Sequence, residues 1–248
     1  MKQFLIIVLV IITMSCKNEK TRIPETKNEI VTPKDYPFVK EEQEREVAEN
    51  NAIQVFPQTG RKPEDFVPEI YEIQLKAEGL LDNDELKDMV IVLQNKNDKT
   101  DSRPILVLIK KQDGTYILKE TSWKAIDAQY TDGSSKMYDY ENIEIDENRI
   151  FHITLQGIGP IGARKTSYKY VDDELILVAI STLNTGAGAQ ITVDYNLISG
   201  VADMELADMM QDTARITHEI KKFKLKRKML FATDSPDKVL EELPHAGW

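Results

Sequence analysis

Cysteine is almost missing from this chain. Cys16 is the only one, so no disulfide can close within a single copy. Histidine is scarce as well. His152, His218 and His245 are the three present, and no two share a metal-ligand spacing such as H-x-x-x-H. His152 sits in an apolar stretch and reads as a hydrogen-bonded strand residue. No serine lies in a G-x-S-x-G elbow. The glycine-rich stretch Asn184 to Gln190 lacks the following Lys-Ser/Thr of a phosphate cradle, while Gly157 to Lys165 reads as a Gly/Pro loop of the kind that carries binding surfaces. No apolar run approaches the roughly 20 residues that a membrane-spanning helix needs; the first runs only from Phe4 to Ile12. Positive charge is in deficit, with 32 Lys and Arg against 42 Asp and Glu and a net charge of −10. That balance argues against nucleic acid, which calls for a basic footprint. It also argues against the body lying flat on an anionic leaflet, which repels an acidic surface within a Debye length of roughly 8–10 Å.

What is present begins with the N-terminus. Lys2 precedes the apolar run, Thr13 and Ser15 follow it, and the sequence turns polar directly after Cys16 at Lys17, Asn18, Glu19 and Lys20. The run has the length of a signal-peptide core. "TMSC" at residues 13–16 resembles the lipobox of bacterial lipoproteins, with Thr13 where a leucine-like residue is usual. "CKNEK" resembles export signals of surface lipoproteins in the Bacteroidetes group. The resemblance implies acylation of Cys16, removal of residues 1–15, and an outer-membrane lipoprotein of the cell envelope facing the periplasm or the surface. Each buried methylene contributes about 0.8 kcal/mol, so two or three acyl chains would hold a domain there almost permanently.

Residues 16–60 read as a flexible tether. Pro24, Pro33, Pro37 and Pro57 interrupt a stretch rich in Lys, Glu, Asn and Thr, with few large apolar residues to order it. From residue 61 to 232 the pattern changes to short runs of β-branched and aromatic residues separated by turns. "RPILVLIKK" and "TYILKETSW" flank Gln112-Asp113-Gly114; "NIEID" and "RIFHITLQ" flank Glu147-Asn148; "TSYKYV" and "LILVAISTL" flank Asp172-Asp173-Glu174. The continuous apolar stretches Ile105 to Ile109 and Leu175 to Ile180 predict strands covered on both faces. The expected fold is all-β, built mainly of antiparallel hairpins in a barrel, sandwich or propeller-like stack, with short helices. One helix is expected at the start of the C-terminal segment 233–248, where Ser235 precedes Pro236, and another over Ala202 to Thr213.

"GLLDNDELKDMVIVL", Gly79 to Leu93, resembles the calcium loop of FG-GAP or VCBS-type repeats. In such loops alternate carboxylates and carbonyls reach a hard cation. Asp82, Asp84 and Asp88 match three positions of the pattern; Leu80 and Glu85 stand where it has an aspartate and a glycine. The resemblance implies a Ca2+ site at these three aspartates, against the plainer reading of solvated turn residues. Over residues 71–200 the order of motifs resembles a group of lipobox-bearing bacterial proteins with a single such repeat. That implies a fold and a location but no reaction.

Lys221, Lys222, Lys224, Lys226, Arg227 and Lys228 form a basic stripe on an acidic chain. It reads either as the solvated face of an edge strand, where lysine blocks sheet association, or as a dock for an acidic envelope protein or anionic polymer. The functional expectation is a non-enzymatic lipoprotein presenting a β-domain for binding a protein or polymer. The alternative is an envelope hydrolase using a divalent metal at Asp82, Asp84 and Asp88.

Overall fold

A computed structural model describes residues 56–131, 135–157, 162–186, 188–210 and 215–245. The signal segment, Cys16, most of the tether and part of the Gly157 to Lys165 loop fall outside them. The described chain forms twelve strands: β1 (Thr59–Gly60), β2 (Tyr71–Gly79), β3 (Asp88–Asn95), β4 (Ile105–Lys110), β5 (Tyr116–Ser122), β6 (Tyr138–Ile145), β7 (Phe151–Gly157), β8 (Ala163–Val171), β9 (Glu174–Gly186), β10 (Ala189–Asn196), β11 (Val201–Asp208) and β12 (Arg215–Lys222). One helix, α1 (Pro236–Glu242), follows. The strands build a five-stranded sheet in the order β1-β5-β4-β3-β2 and a seven-stranded sheet in the order β12 through β6. Every pairing is antiparallel. The protein is therefore all-β in two sheets, and β2 to β5 and β6 to β12 are each a meander.

The apolar runs explain how the five-stranded sheet is covered. In β3 and β4 successive side chains point to opposite faces. Val90, Val92, Ile105, Val107 and Ile109 enter a core shared with the seven-stranded sheet, where they join Ile153, Leu155, Tyr168, Leu177, Ile180 and Met204. Met89, Ile91, Leu93, Leu106 and Leu108 enter a second core closed by Phe56, Phe66, Tyr71 and Tyr116. Phe56 is buried and β1 pairs with β5, so residues 56–60, expected in the tether, belong to the body. A one-turn 3-10 helix, Pro63–Phe66, delivers Phe66 to this second core.

The two sheets approach closely where β2 ends. A Cβ on Gly79 would lie 2.7 Å from Ile145 of β6, so glycine permits the contact. In the seven-stranded sheet β9 outruns β10, and its first residues are bonded on that side by the later chain: Leu177 N–H donates to Met229 C=O at 2.8 Å and Phe231 N–H to Leu175 C=O at 2.9 Å. Phe231 then packs edge-on against Tyr168, with ring centres 5.2 Å apart. Helix α1 starts at Ser235 as the Ser-Pro signal predicts, and Val239 and Leu243 are buried.

The helix expected over Ala202 to Thr213 is replaced by strand β11. Ala202, Met204 and Leu206 recur every second residue, which is the strand period, and Ala202 and Met204 are buried. The last strand, β12, ends at Lys222. None of the helices among the described residues is long and apolar enough to cross a membrane.

Candidate functional site

Four loops meet at one end of the described body: those joining β2 to β3, β4 to β5, β6 to β7 and β8 to β9. Between them lies a cleft of about 520 Å³, within the size range of small-ligand sites. Leu81, Ile109 and Ile117 supply apolar lining; Lys111, Lys119, Arg149, Lys169, Asp82, Asp172 and Asp173 supply charge, and Tyr170 also lines it.

The backbone around the cleft is costly. Among the described residues three non-glycines have positive φ: Arg149 at 62°, Asp172 at 53° and Asp173 at 66°. All three line the cleft. Asp172 and Asp173 occupy the tip between Val171 and Glu174, which pair directly, so both central residues of this two-residue hairpin turn are left-handed. Asn-Gly is the usual choice there. Arg149 has an instructive counterpart. In the β4–β5 turn Lys111 N–H donates to Thr115 C=O and Gly114 N–H to Lys111 C=O; in the β6–β7 turn Asp146 N–H donates to Ile150 C=O and Arg149 N–H to Asp146 C=O. The turns have the same pattern, and Arg149 stands where the first has Gly114 with φ 81°. The left-handed conformation costs roughly 1–2 kcal/mol for a residue with a Cβ. Sites that carry such strain cluster where function needs a fixed side chain.

Arg149 is fixed by the β2–β3 loop. Its Nη1 donates to the carbonyl oxygens of Asp82 and Asp84, the latter at 2.9 Å, and its Nη2 approaches Glu85. Two carbonyls of the calcium-like loop thus converge on a guanidinium. Asp88 is fully buried and its carboxylate is taken up by amides: Oδ2 accepts from Leu81 N–H at 2.9 Å and Asp82 N–H at 3.4 Å, and Oδ1 from Lys110 N–H at 3.0 Å. Burial pushes its pKa up, and the Lys110 and Leu81 amides pull against that shift. Asp84 Oδ1 accepts from Leu86 N–H, and Asp82 Oδ1 from Asp84 N–H, as turn-forming aspartates do. Of the three aspartates only Asp82 lines the cleft. Among the described residues no three His, Cys, Asp or Glu side chains are grouped so as to hold a metal ion.

The remaining charges of the cleft divide into committed and uncommitted groups. Lys119 donates to Asp173 at 2.9 Å, and Asp172 takes Lys228 at 3.3 Å. The ammonium groups of Lys111 and Lys169 have no hydrogen-bond or ion-pair partner among the described residues. The Tyr170 hydroxyl is buried and unpartnered. Burial, followed by the carboxylates of Glu120, Asp88, Asp173 and Asp82, pushes its pKa above the ordinary tyrosine range, so it holds its proton and can donate.

The basic stripe is split. Lys221 and Lys222 end β12, an edge strand; the other four follow it. Lys221 donates to His245 C=O at 2.6 Å, Arg227 pairs with Asp234, and Lys228 joins Asp172 and Glu174. Lys222, Lys224 and Lys226 are exposed and without an ion-pair partner among the described residues. His152 bonds Ser167 through Nδ1 at 2.8 Å and faces Asp146 through Nε2, which accords with its reading as a satisfied strand residue. Sequence reasoning singled out Asp82 but missed Lys111, Lys169, Tyr170 and Arg149. The one available signal was turn chemistry without glycine, at Asn148-Arg149 and Asp172-Asp173.

Comparison with known proteins returns no matching family model, no matching curated protein and no matching solved structure.

Proposed function

We propose that this chain is a lipid-anchored binding protein of the bacterial cell envelope, with Cys16 as the acylated residue and the four-loop cleft as the ligand site. The observation that carries the binding reading is the cleft itself. An apolar lining, ion pairs that fix the charged side chains, and left-handed backbone at three residues with a Cβ all concentrate there. A preformed site of this kind lowers the ordering cost of binding. The anchor rests on the lipobox at residues 13–16, and residues between Cys16 and the body would serve as a spacer holding the cleft clear of the headgroups.

Two measurements test this. Expression of the full chain in a bacterial host fed an alkyne-palmitate should label the protein and place it in the membrane fraction, and Cys16→Ala should abolish the label. An unlabelled parent chain removes the anchor. A thermal-shift survey of envelope glycan fragments and peptides should find ligands that raise the melting temperature of the parent but not of Asn83→Trp. Asn83 is exposed and lines the cleft, so an indole there obstructs the mouth without disturbing a core.

A further inference from the structure

The charge inventory of the cleft assigns a class of ligand, on the premise that the cleft is the binding site. Most of the charged groups around it are already matched. Asp173 has Lys119 and Asp172 has Lys228. Arg149 is spent on two loop carbonyls and Glu85. Asp88, the nearby buried carboxylate, is screened by three amides. What is left over in the lining is two ammonium groups, Lys111 and Lys169, one carboxylate, Asp82, and a buried hydroxyl on Tyr170 with nothing to bond; the Glu120 carboxylate near Tyr170 lies outside the lining. A buried unsatisfied hydroxyl costs free energy until something bonds it. Beside these groups lie the aliphatic chains of Leu81, Ile109 and Ile117.

From this we infer that the cleft binds an organic anion: a carboxylate or phosphate group met by Lys111 and Lys169, with Tyr170 Oη donating to an oxygen of the ligand and a partly apolar body lying against Leu81, Ile109 and Ile117. The volume of about 520 Å³ suits a body of drug-like size. Within the lining the uncommitted groups are two cations against one anion, although the chain as a whole is acidic. That contrast focuses an anion on the cleft and away from the rest of the surface.

The test uses the full chain and a matched pair of fluorescent probes. 1-Anilinonaphthalene-8-sulfonate is an amphiphilic anion; N-phenyl-1-naphthylamine is its uncharged counterpart. The anionic probe should bind saturably at one site, about tenfold or more tighter than the neutral one. Lys111→Met combined with Lys169→Met should weaken it by about tenfold or more, and the Arg pair at the same positions should restore it. Tyr170→Phe should weaken it several-fold. Neither lysine is in a core, so the melting temperature should stay close to that of the parent. Displacement of the anionic probe by hexanoate marks a carboxylate ligand, and by hexyl phosphate a phosphate ligand; either supports the assignment. If both probes bind equally and Asn83→Trp abolishes both, the cleft is a binding site but the anion assignment is wrong. If Asn83→Trp leaves probe binding unchanged, the cleft is not the site, and the binding reading fails with it.

Discussion

Arg103 and Glu141 form a buried two-pronged ion pair between the sheets. Nη2 to Oε1 is 2.7 Å and Nη1 to Oε2 is 3.0 Å, and the two side chains are 0% and 6% exposed. Arg103 precedes β4 and Glu141 lies on β6. The guanidinium also donates to Asp127 C=O at 2.7 Å and to Gln74 Oε1 at 2.9 Å. Gln74 sits at the bulge of β2, and its amide oxygen meets Arg103 there.

This pair predicts a non-additive result. Arg103→Met should destabilise the body by about 3–5 kcal/mol, because it strands a buried carboxylate. Glu141→Met should cost a similar amount. The double variant should recover more than half of either loss, since two buried charges leave together. Urea unfolding of the four proteins measures the coupling. Additive losses would mean that the pair is not energetically joined.

Asp88 predicts a loss that its charge alone would not suggest. Asp88→Asn keeps the shape but replaces an acceptor oxygen with an NH2 group facing backbone donors. Destabilisation of about 2–3 kcal/mol is expected. A change below about 0.5 kcal/mol would show that water replaces the carboxylate's bonds.

Arg149 separates conformation from contact. Both Arg149→Gly and Arg149→Ala lose the guanidinium bonds to Asp82 and Asp84, but only glycine suits φ 62°. The glycine variant should therefore be about 1 kcal/mol more stable than the alanine variant. In the parent, millimolar calcium should leave the melting temperature unchanged, because a cation already holds the loop carbonyls. A calcium-dependent rise in the parent would reinstate an ion at Asp82 and Asp84.

Much of the architecture was readable from period and turn chemistry, and the reasons are local. β3 and β4 announced themselves because a central strand between two cores has no polar face. Asp113-Gly114 marked a hairpin because glycine relieves the left-handed position. β11 was missed because its acidic and methionine residues have ordinary helix propensity, and only packing of Ala202 and Met204 against the core decides for a strand. The cleft was hidden for a different reason. Lys111, Arg149 and Tyr170 are far apart in sequence, each unremarkable, and only the meeting of separate turns makes them a site. Asp82, Asp84 and Asp88 misled in the opposite direction: their spacing fits cation ligands, yet it serves equally well for turn aspartates and an amide-capping carboxylate.

Asp146 gives a pH dependence with a definite sign. Burial alone would raise its pKa, but the Ile150 amide, His152 and Asn148 outweigh it and hold it below the ordinary 3.8. A carboxylate lowered on folding adds stability above its unfolded pKa and loses it as pH falls through the folded value. Asp146→Asn should therefore be less stable than the parent near about pH 6, and the gap should close below about pH 3. Denaturation midpoints at the two pH values check this; a gap that persists in acid would assign the effect to packing.

Each sheet is drawn from one uninterrupted length of chain, and apart from the short β1–β5 pairing every β-ladder joins strands that are consecutive in sequence. A polypeptide emerging end first can therefore zip up its hairpins as they appear, and only the two residues of β1 wait for a later strand. A longer wait is set by the return of Met229 to Phe231 onto β9. That step closes the open edge of β9 beside Tyr168 and has to wait for nearly the last residues to arrive.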